Sequence, residues 1–396
     1  MRIWIVLLIL LLAGGSPAAG YVPVPPKGAV IPEKTPARRI MRTKPYLQNP
    51  ASDGMTVMWL TRVPCVSWVE YGTDTLVMQR AVATDDGLMP VGSIHRIRLE
   101  GLRPGTRYYY RVCSREVRYY SSYYKAFGDT VRSRTGTLRT WNEGPEDFNI
   151  VIFNDIHKRM GTYGQLCSLV KDERFDLAVF NGDCFNDCEK ESHVVDAIAG
   201  YSAGFGGDSI PAIYLRGNHE LRGAMSLRLW DYLGKMNGSL YTAFTYGDTR
   251  FVLLDTGEDK PDGAEIYYGL NDFAGLRAAQ VDFLREELSS PQFRKAARRV
   301  LIHHIPVYGR VAGKYNPCYE LWHPLLRRAP FDLAVNGHQH AFRYLVRGAG
   351  DNNFPVLIGG GYKPDDATLT ILRKRGKSLH VKVLDYDGRI LLDQEL

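Results

Sequence analysis

Five times between residues 148 and 340, a short apolar run breaks directly into a polar cluster rich in Asn, Asp and His. The runs are Phe148 to Phe153, Leu177 to Phe180, Pro211 to Leu215, Val300 to Ile302 and Leu333 to Val335. The clusters that follow them are Asn154-Asp155-Ile156-His157, Asn181-Gly182-Asp183, Gly217-Asn218-His219-Glu220, His303-His304-Ile305-Pro306 and Asn336-Gly337-His338-Gln339-His340. Helical segments lie between them, such as Leu276 to Leu288, where Val281, Leu284 and Leu288 share one face at helical spacing. Strands alternating with helices predict an α/β body, and ligands bind at the strand ends of such sheets. A turn that caps the next helix through Asn218 explains one cluster, but not five in a row.

In order, the clusters read Asp-x-His, Gly-Asp, Gly-Asn-His-Glu, a His ahead of Ile-Pro, and Gly-His-x-His. This ordered set resembles the calcineurin-like metallophosphoesterase superfamily, with no motif missing. The resemblance implies a two-sheet β-sandwich flanked by helices (αββα) with the site at the strand ends. It also implies two metal ions (zinc, manganese or iron) ~3.5–4 Å apart, which clamp a phosphoryl oxygen and generate hydroxide. Residue by residue, Asp155, His157 and His340 are then expected to hold the first metal and Asn218, His304 and His338 the second, with Asp183 bridging both. Asp155 and His157, like His338 and His340, are two apart, which in an extended strand end points them the same way.

His219 has a different expected role. By the same resemblance it faces the substrate, where it stabilises the phosphoryl group or protonates the leaving oxygen, while Glu220 orients that imidazole or neighbouring ligands. His303 is read as the neighbour of a ligand, because His304 is the one that precedes Ile305-Pro306 at the family's spacing. Lys158, Arg159, Arg222 and Arg343 adjoin the motifs; each is a candidate phosphate contact or an ordinary surface cation.

The front of the chain has another texture. Arg2, the apolar stretch Ile3 to Leu12 and the small residues Ala13 to Gly20 have the layout of a secretory signal peptide. The apolar stretch is shorter than the ~20 residues of a membrane span. Export is therefore expected, with residues 1–20 removed and no span in the mature chain. Residues 21–40 read as a proline-rich extended leader. From 41 to 141, short β-branched and aromatic runs such as Met55 to Trp59, Trp68 to Gly72, His95 to Leu99 and Tyr108 to Val112 predict a small all-β sandwich. Gly101 to Tyr108 looks like the loop and corner tyrosine of a fibronectin type III-like domain. With Pro45-Tyr46-Leu47-Gln48 and Val69-Glu70-Tyr71-Gly72, it is similar to the N-terminal domain of purple acid phosphatases. Two departures separate the chain from that family. Asn186 stands where those enzymes carry a metal-bound tyrosine, and His157 stands where they lack a histidine. The resemblance thus does not make iron obligatory.

Thr140 to Pro145 reads as a linker, and 146–396 as the catalytic domain. A chain of 396 residues is too long for one core. The formal charge of +7 favours anionic substrates weakly, and no basic run interleaved with aromatics suggests nucleic-acid binding. The six cysteines leave pairing open: Cys65 and Cys113 are candidates for a disulfide or for buried thiols, and Cys184 and Cys188 resemble a zinc pair only superficially. The expected function is a metal-dependent phosphoric ester hydrolase acting on a small-molecule phosphate ester, first a phosphomonoesterase and second a phosphodiesterase. A non-catalytic surface-binding protein on a relic fold is the reading from another class, and a relic would have lost a ligand. The substrate, the mono- or diester preference, the metal's identity and the oligomeric state are not written in the residues.

Overall fold

The computed structural model describes residues 23–310 and 313–396. The expected signal peptide, 1–20, lies outside the described residues. No helix among them is long and apolar enough to cross a membrane.

The front region is built from strands: β1 (Tyr46–Gln48), β2 (Met55–Gly72), β3 (Gln79–Ala81), β4 (Val91–Leu99), β5 (Arg107–Tyr120), β6 (Lys125–Arg132) and β7 (Gly136–Arg139). The two strands expected at Met55 to Trp59 and Trp68 to Gly72 are a single strand of 18 residues. Its first half pairs with β1 and β4 and its second half with β3 and β5, with β4 following it as far as Val66. The register shifts between Leu60 and Cys65, around Pro64, which has no N–H to give a ladder. The bend lets one strand serve both leaves of a small sandwich. Leu47, Val57, Trp59, Val69, Ile97, Leu99, Tyr110 and Val112 fill the space between them, each large side chain contributing roughly 1.5–3 kcal/mol by leaving water.

The body holds two facing sheets. β8 (Phe148–Phe153), β9 (Leu177–Asn181) and β10 (Ala212–Leu215) run parallel in the first. In the second, β11 (Thr242–Tyr246), β12 (Thr249–Leu253), β13 (Arg298–Ile302), β14 (Leu333–Asn336), β15 (Arg343–Leu345) and β16 (Val356–Ile358) lie in the order β11-β12-β13-β14-β16-β15. The chain ends in β17 (Thr368–Arg375), β18 (Ser378–Asp385) and β19 (Ile390–Glu395), which extend the first sheet from β8. Ile150, Ile152, Val179 and Ile213 of one sheet meet Phe251, Val300, Ile302 and Val335 of the other. Alternate residues of the same strands face outward. Val151, Phe153 and Phe180 pack under the helices Met160–Ser168 and Glu191–Phe205, and Val252, Leu301 and Ala334 pack under Phe273–Ser289 and Pro317–Leu326. The fold is thus αββα with strands in front, the class expected.

The helix around Leu276 to Leu288 forms at Phe273–Ser289, but its fully buried face is Arg277, Gln280, Leu284 and Glu287. Val281 and Leu288 are only partly buried. The reason is polar: Arg277 donates to the carbonyls of Thr256 and Glu258, Gln280 bonds both backbone groups of Asp255, and Glu287 takes a bidentate pair from Arg250.

The front strands and the body share one sheet. β1 pairs in parallel with β10, at Gln48 and Ala212, so the path runs from β19 through β10 to β1, β2, β5 and β6. Across this seam Tyr46 Oη donates to the Tyr232 carbonyl, Tyr110 Oη to that of Asp208, and Arg96 to those of Trp230 and Leu233. The segment read as a linker is not slack either: Trp141 is buried and stacks on Tyr246 at 4.4 Å and Phe244 at 5.6 Å.

Candidate metal centre

β8, β9 and β10 of one sheet, and β13 and β14 of the other, end where the five polar clusters begin. Within each sheet these strands run parallel to one another, so the clusters gather at one rim of the sandwich. Their backbone is not the extended strand end expected from sequence. Asp155, His157, Asp183, His338 and His340 all take φ between +46° and +74°, the left-handed region that costs a non-glycine residue roughly 1–3 kcal/mol. Each chain turns sharply at the strand end, and side chains two apart meet because of that turn, not because of strand alternation. Close approach demands glycine beside them. A Cβ on Gly217 would strike the Asp183 carboxylate, and one on Gly359 would strike the Asn154 amide. Asn154 in turn donates to Asp155 Oδ2 at 2.8 Å and to the Gly360 carbonyl at 2.7 Å, so the glycine run fixes a neighbour of Asp155.

Two groups of potential ligands result. Asp155, His157, Asp183 and His340 form one; Asp183, His304 and His338 form the other, and Asp183 belongs to both. His340 Nε2 lies 3.2 Å from Asp155 Oδ1 and also 3.2 Å from His157 Nε2. His304 Nε2 lies 3.1 Å from Asp183 Oδ2 and 3.9 Å from Asp155 Oδ1. Asn218 joins the second group through Oδ1, 2.9 Å from His338 Nδ1. All seven residues expected as ligands therefore meet in one place.

Cations fit this donor set. Asp155 Oδ1 and His304 Nε2 are buried without an aligned hydrogen bond, although His340 and Asp183 stand 3.2 and 3.1 Å from them. Orphaned atoms of that kind are costly unless something outside the protein meets them. Oxygen and imidazole donors suit zinc, manganese and iron alike. His304 Nδ1 is committed to the Asn181 carbonyl at 2.9 Å, which leaves Nε2 as the free donor.

The electrostatics have the same origin. Burial alone would lower the His304 pKa, but Asp183 and Asp155 carry it up to about 10. Burial would raise Asp183, and His304 pulls it well below the usual carboxylate range. The carboxylates draw a proton onto His304 as they would draw a cation, and metal binding competes with that proton. Burial holds His157 and His338 down near 4. His303, also lowered to about 4 by burial, lies in neither group; it bonds the Ile305 carbonyl and Asn336.

His219 stands next to the first group, its ring centroid 4.6 Å from that of His157, edge to face. Its backbone N–H donates to Asp183 Oδ1 at 2.9 Å. Of the two roles expected of Glu220, it holds neighbouring ligands and does not orient the imidazole. Its buried carboxylate accepts four backbone N–H groups, from Asp183, Cys184, Phe185 and Gly217, and so clamps two clusters together. Burial and the Asp183 charge push Glu220 up to about 7, against the pull of those N–H groups. The residue that does hold His219 is Asp187, whose Oδ1 is 3.0 Å from Nδ1. Arg222 Nη1 lies 3.3 Å from Nε2 and is itself held by a bidentate pair with buried Glu258 at 2.9 and 3.1 Å. A carboxylate four residues past Asp183 is the only sequence signal for Asp187; Glu258 has none.

Of the other basic candidates, Arg159 lies over the Tyr362 ring, which in turn packs edge-on against His157 and His340. Arg343 donates outward to the Gly309 carbonyl, and Lys158 is half-buried. Asn186 is exposed. All six cysteines are free, so the Cys65–Cys113 pairing does not form; both are buried, on β2 and β5. Cys184 and Cys188 are buried thiols whose pKa burial raises, and neither belongs to a ligand group.

Residues 148–342 match the family model described as calcineurin-like phosphoesterase, and residues 42–134 match that of the purple acid phosphatase N-terminal domain. Purple acid phosphatase 23 of Arabidopsis thaliana is 23% identical over 299 residues, which cover 66% of this chain. The match spans 60% of that relative's length. Among solved structures, the purple acid phosphatase PPD1 from yellow lupin (Lupinus luteus) seeds superposes with a TM-score of 0.66 at 16% identity, covering 90% of this chain and 74% of that one. This likeness carries the fold.

Proposed function

From a calcineurin-like phosphoesterase domain at residues 148–342 behind a purple acid phosphatase N-terminal domain at 42–134, we propose that the protein is a dinuclear metal-dependent phosphoesterase. One observation carries the reading: the two ligand groups overlap in a single carboxylate, Asp183. Asp155, His157, Asp183 and His340 would hold one ion, and Asp183, Asn218, His304 and His338 the other. Bound there, two cations polarise the phosphoryl group and acidify water.

The chain's own contribution is position and proton transfer. Glu220 fixes the backbone of both bearing loops through its four N–H contacts. His219 offers a proton at the leaving oxygen, with Asp187 holding its Nδ1 and so setting which nitrogen faces the ester. Arg222, braced by Glu258, adds a fixed positive charge beside that nitrogen. We further propose phosphomonoesters as substrates, a preference supported by the phosphatases among the similar proteins, and export through residues 1–20. Mature protein whose sequence begins near Tyr21 would support export, and an intact Met1 would refute it.

The central test joins two measurements. Purified protein should hold about two metal ions per chain and hydrolyse a chromogenic phosphomonoester faster than the matching diester. Asp183→Asn should lose both metal and turnover, since a bridging position needs charge on both oxygens. Full metal content in that variant would sink the shared-carboxylate reading, and a faster diester would reverse the substrate preference.

A further inference from the structure

Next to His219 the surface opens into a cleft of ≈ 720 Å³. Asp187 and Arg222, which flank the two nitrogens of the His219 ring, also line this cleft, so cleft and site share a wall. The rest of the lining is mixed, and its outer part carries a cluster of large apolar side chains. Leu227, Ile266, Tyr268 and Leu270 all face the cleft, and they are between 65% and 93% exposed. Single exposed apolar residues need no explanation, but four around one concavity form a patch that marks a binding surface. Tyr268 is held there at φ 50°, a left-handed backbone that a tyrosine adopts only at a cost.

Charge narrows what the cleft accepts. Both of its cationic side chains are already paired, Arg222 with Glu258 and Arg216 with Asp255. Asp187, Glu189 and Asp272 also line it. A second anionic group would meet these carboxylates without a free cation to match. The volume lies within the roughly 300–1,000 Å³ typical of small-molecule sites, far beyond what a phosphate group alone requires.

The position of His219 supplies the direction. The ring stands between the ligand groups on one side, through His157, and Arg222 on the other. An ester oxygen that takes a proton from His219 therefore carries its substituent out over Arg222. We propose that this cleft receives the leaving alcohol, and that the alcohol is bulky and apolar, without a second negative charge. The proposal rests on the phosphoesterase reading above and adds the substrate class.

The test compares phenyl phosphate with 2-naphthyl phosphate, whose leaving phenols are of similar acidity, so the chemical step makes the same demand of both. The metal-loaded protein should favour the naphthyl ester by about 10-fold in kcat/KM, the usual yield of added apolar contact. In the double variant Leu227→Ala, Leu270→Ala that ratio should fall to within about twofold, chiefly through KM. Independently of metal and turnover, 2-naphthol fluorescence should report saturable binding to the wild-type chain that the double variant weakens. A ratio near one, or one that the variant leaves unmoved, overturns the inference and leaves the phosphoesterase reading standing. Failure to hydrolyse either ester overturns that reading, and the naphthol titration then decides the cleft by itself.

Discussion

His219 is held at both ring nitrogens, by Asp187 at Nδ1 and by Arg222 beside Nε2, which fixes the direction of its ring. Replacing it by alanine should leave both metals bound and slow turnover by roughly 10²- to 10⁴-fold. The deficit should be smaller for a nitrophenyl ester, which leaves readily, than for an alkyl ester. Equal losses would point to charge stabilisation at the phosphoryl group, and metal loss would make His219 a ligand. The seven positions that the structure gathers were named in advance by the family that the ordered motifs resemble. Their conformation was not. Five left-handed residues arise from the crowding of loops drawn from two sheets, and a single loop's sequence does not contain that crowding. Asp187 and Glu258 were illegible for a related reason: their partners, His219 and Arg222, are 32 and 36 residues away.

β2 and β4 show the same limit between elements. Trp59 and His95 are direct partners across that pair, and the His95 ring is buried with only hydroxyl groups on its Nε2, Thr61 at 2.9 Å and Ser67 at 3.4 Å. Burial depresses His95 to about 4. A depressed histidine stabilises the fold fully above the unfolded value near 6.5 and progressively less as the pH falls from there toward 4. Between pH 7 and pH 5 the loss should be about 2 kcal/mol. His95→Gln keeps a polar group but has no proton to gain, so urea unfolding at the two pH values should show a difference smaller by that amount than in the wild type. Equal pH dependence in the two proteins would mean that His95 does not stay neutral in the fold. Alternation identified the strand at His95 to Leu99, yet it split β2 in two, because the bend at Pro64 interrupts the pattern without ending the strand.

At the scale of the whole molecule, the front sandwich and the body are joined through β1 and β10, the Tyr46, Tyr110 and Arg96 contacts and the stacked Trp141. The two textures were legible as separate regions; the seam was not, since one residue pair in register carries no sequence signature. A chain starting at Glu146 should therefore unfold at lower temperature than the full protein and associate through the bared edge of β10. Scanning calorimetry and size-exclusion chromatography test this, and a monodisperse fragment of unchanged melting temperature would show the seam to be dispensable. The seam also has a timetable. Tyr46 and its partner Tyr232 are 186 residues apart, so at roughly 5–20 residues per second a ribosome releases β1 some 10–40 s before its partners exist. During that interval the finished sandwich presents an unpaired strand edge to every other nascent chain nearby. The edge is only three residues long, and prolines stand close by on either side, at Pro45 and Pro50. A strand that short offers a stranger almost no ladder to join, and it stays available for the one partner that arrives later on its own chain.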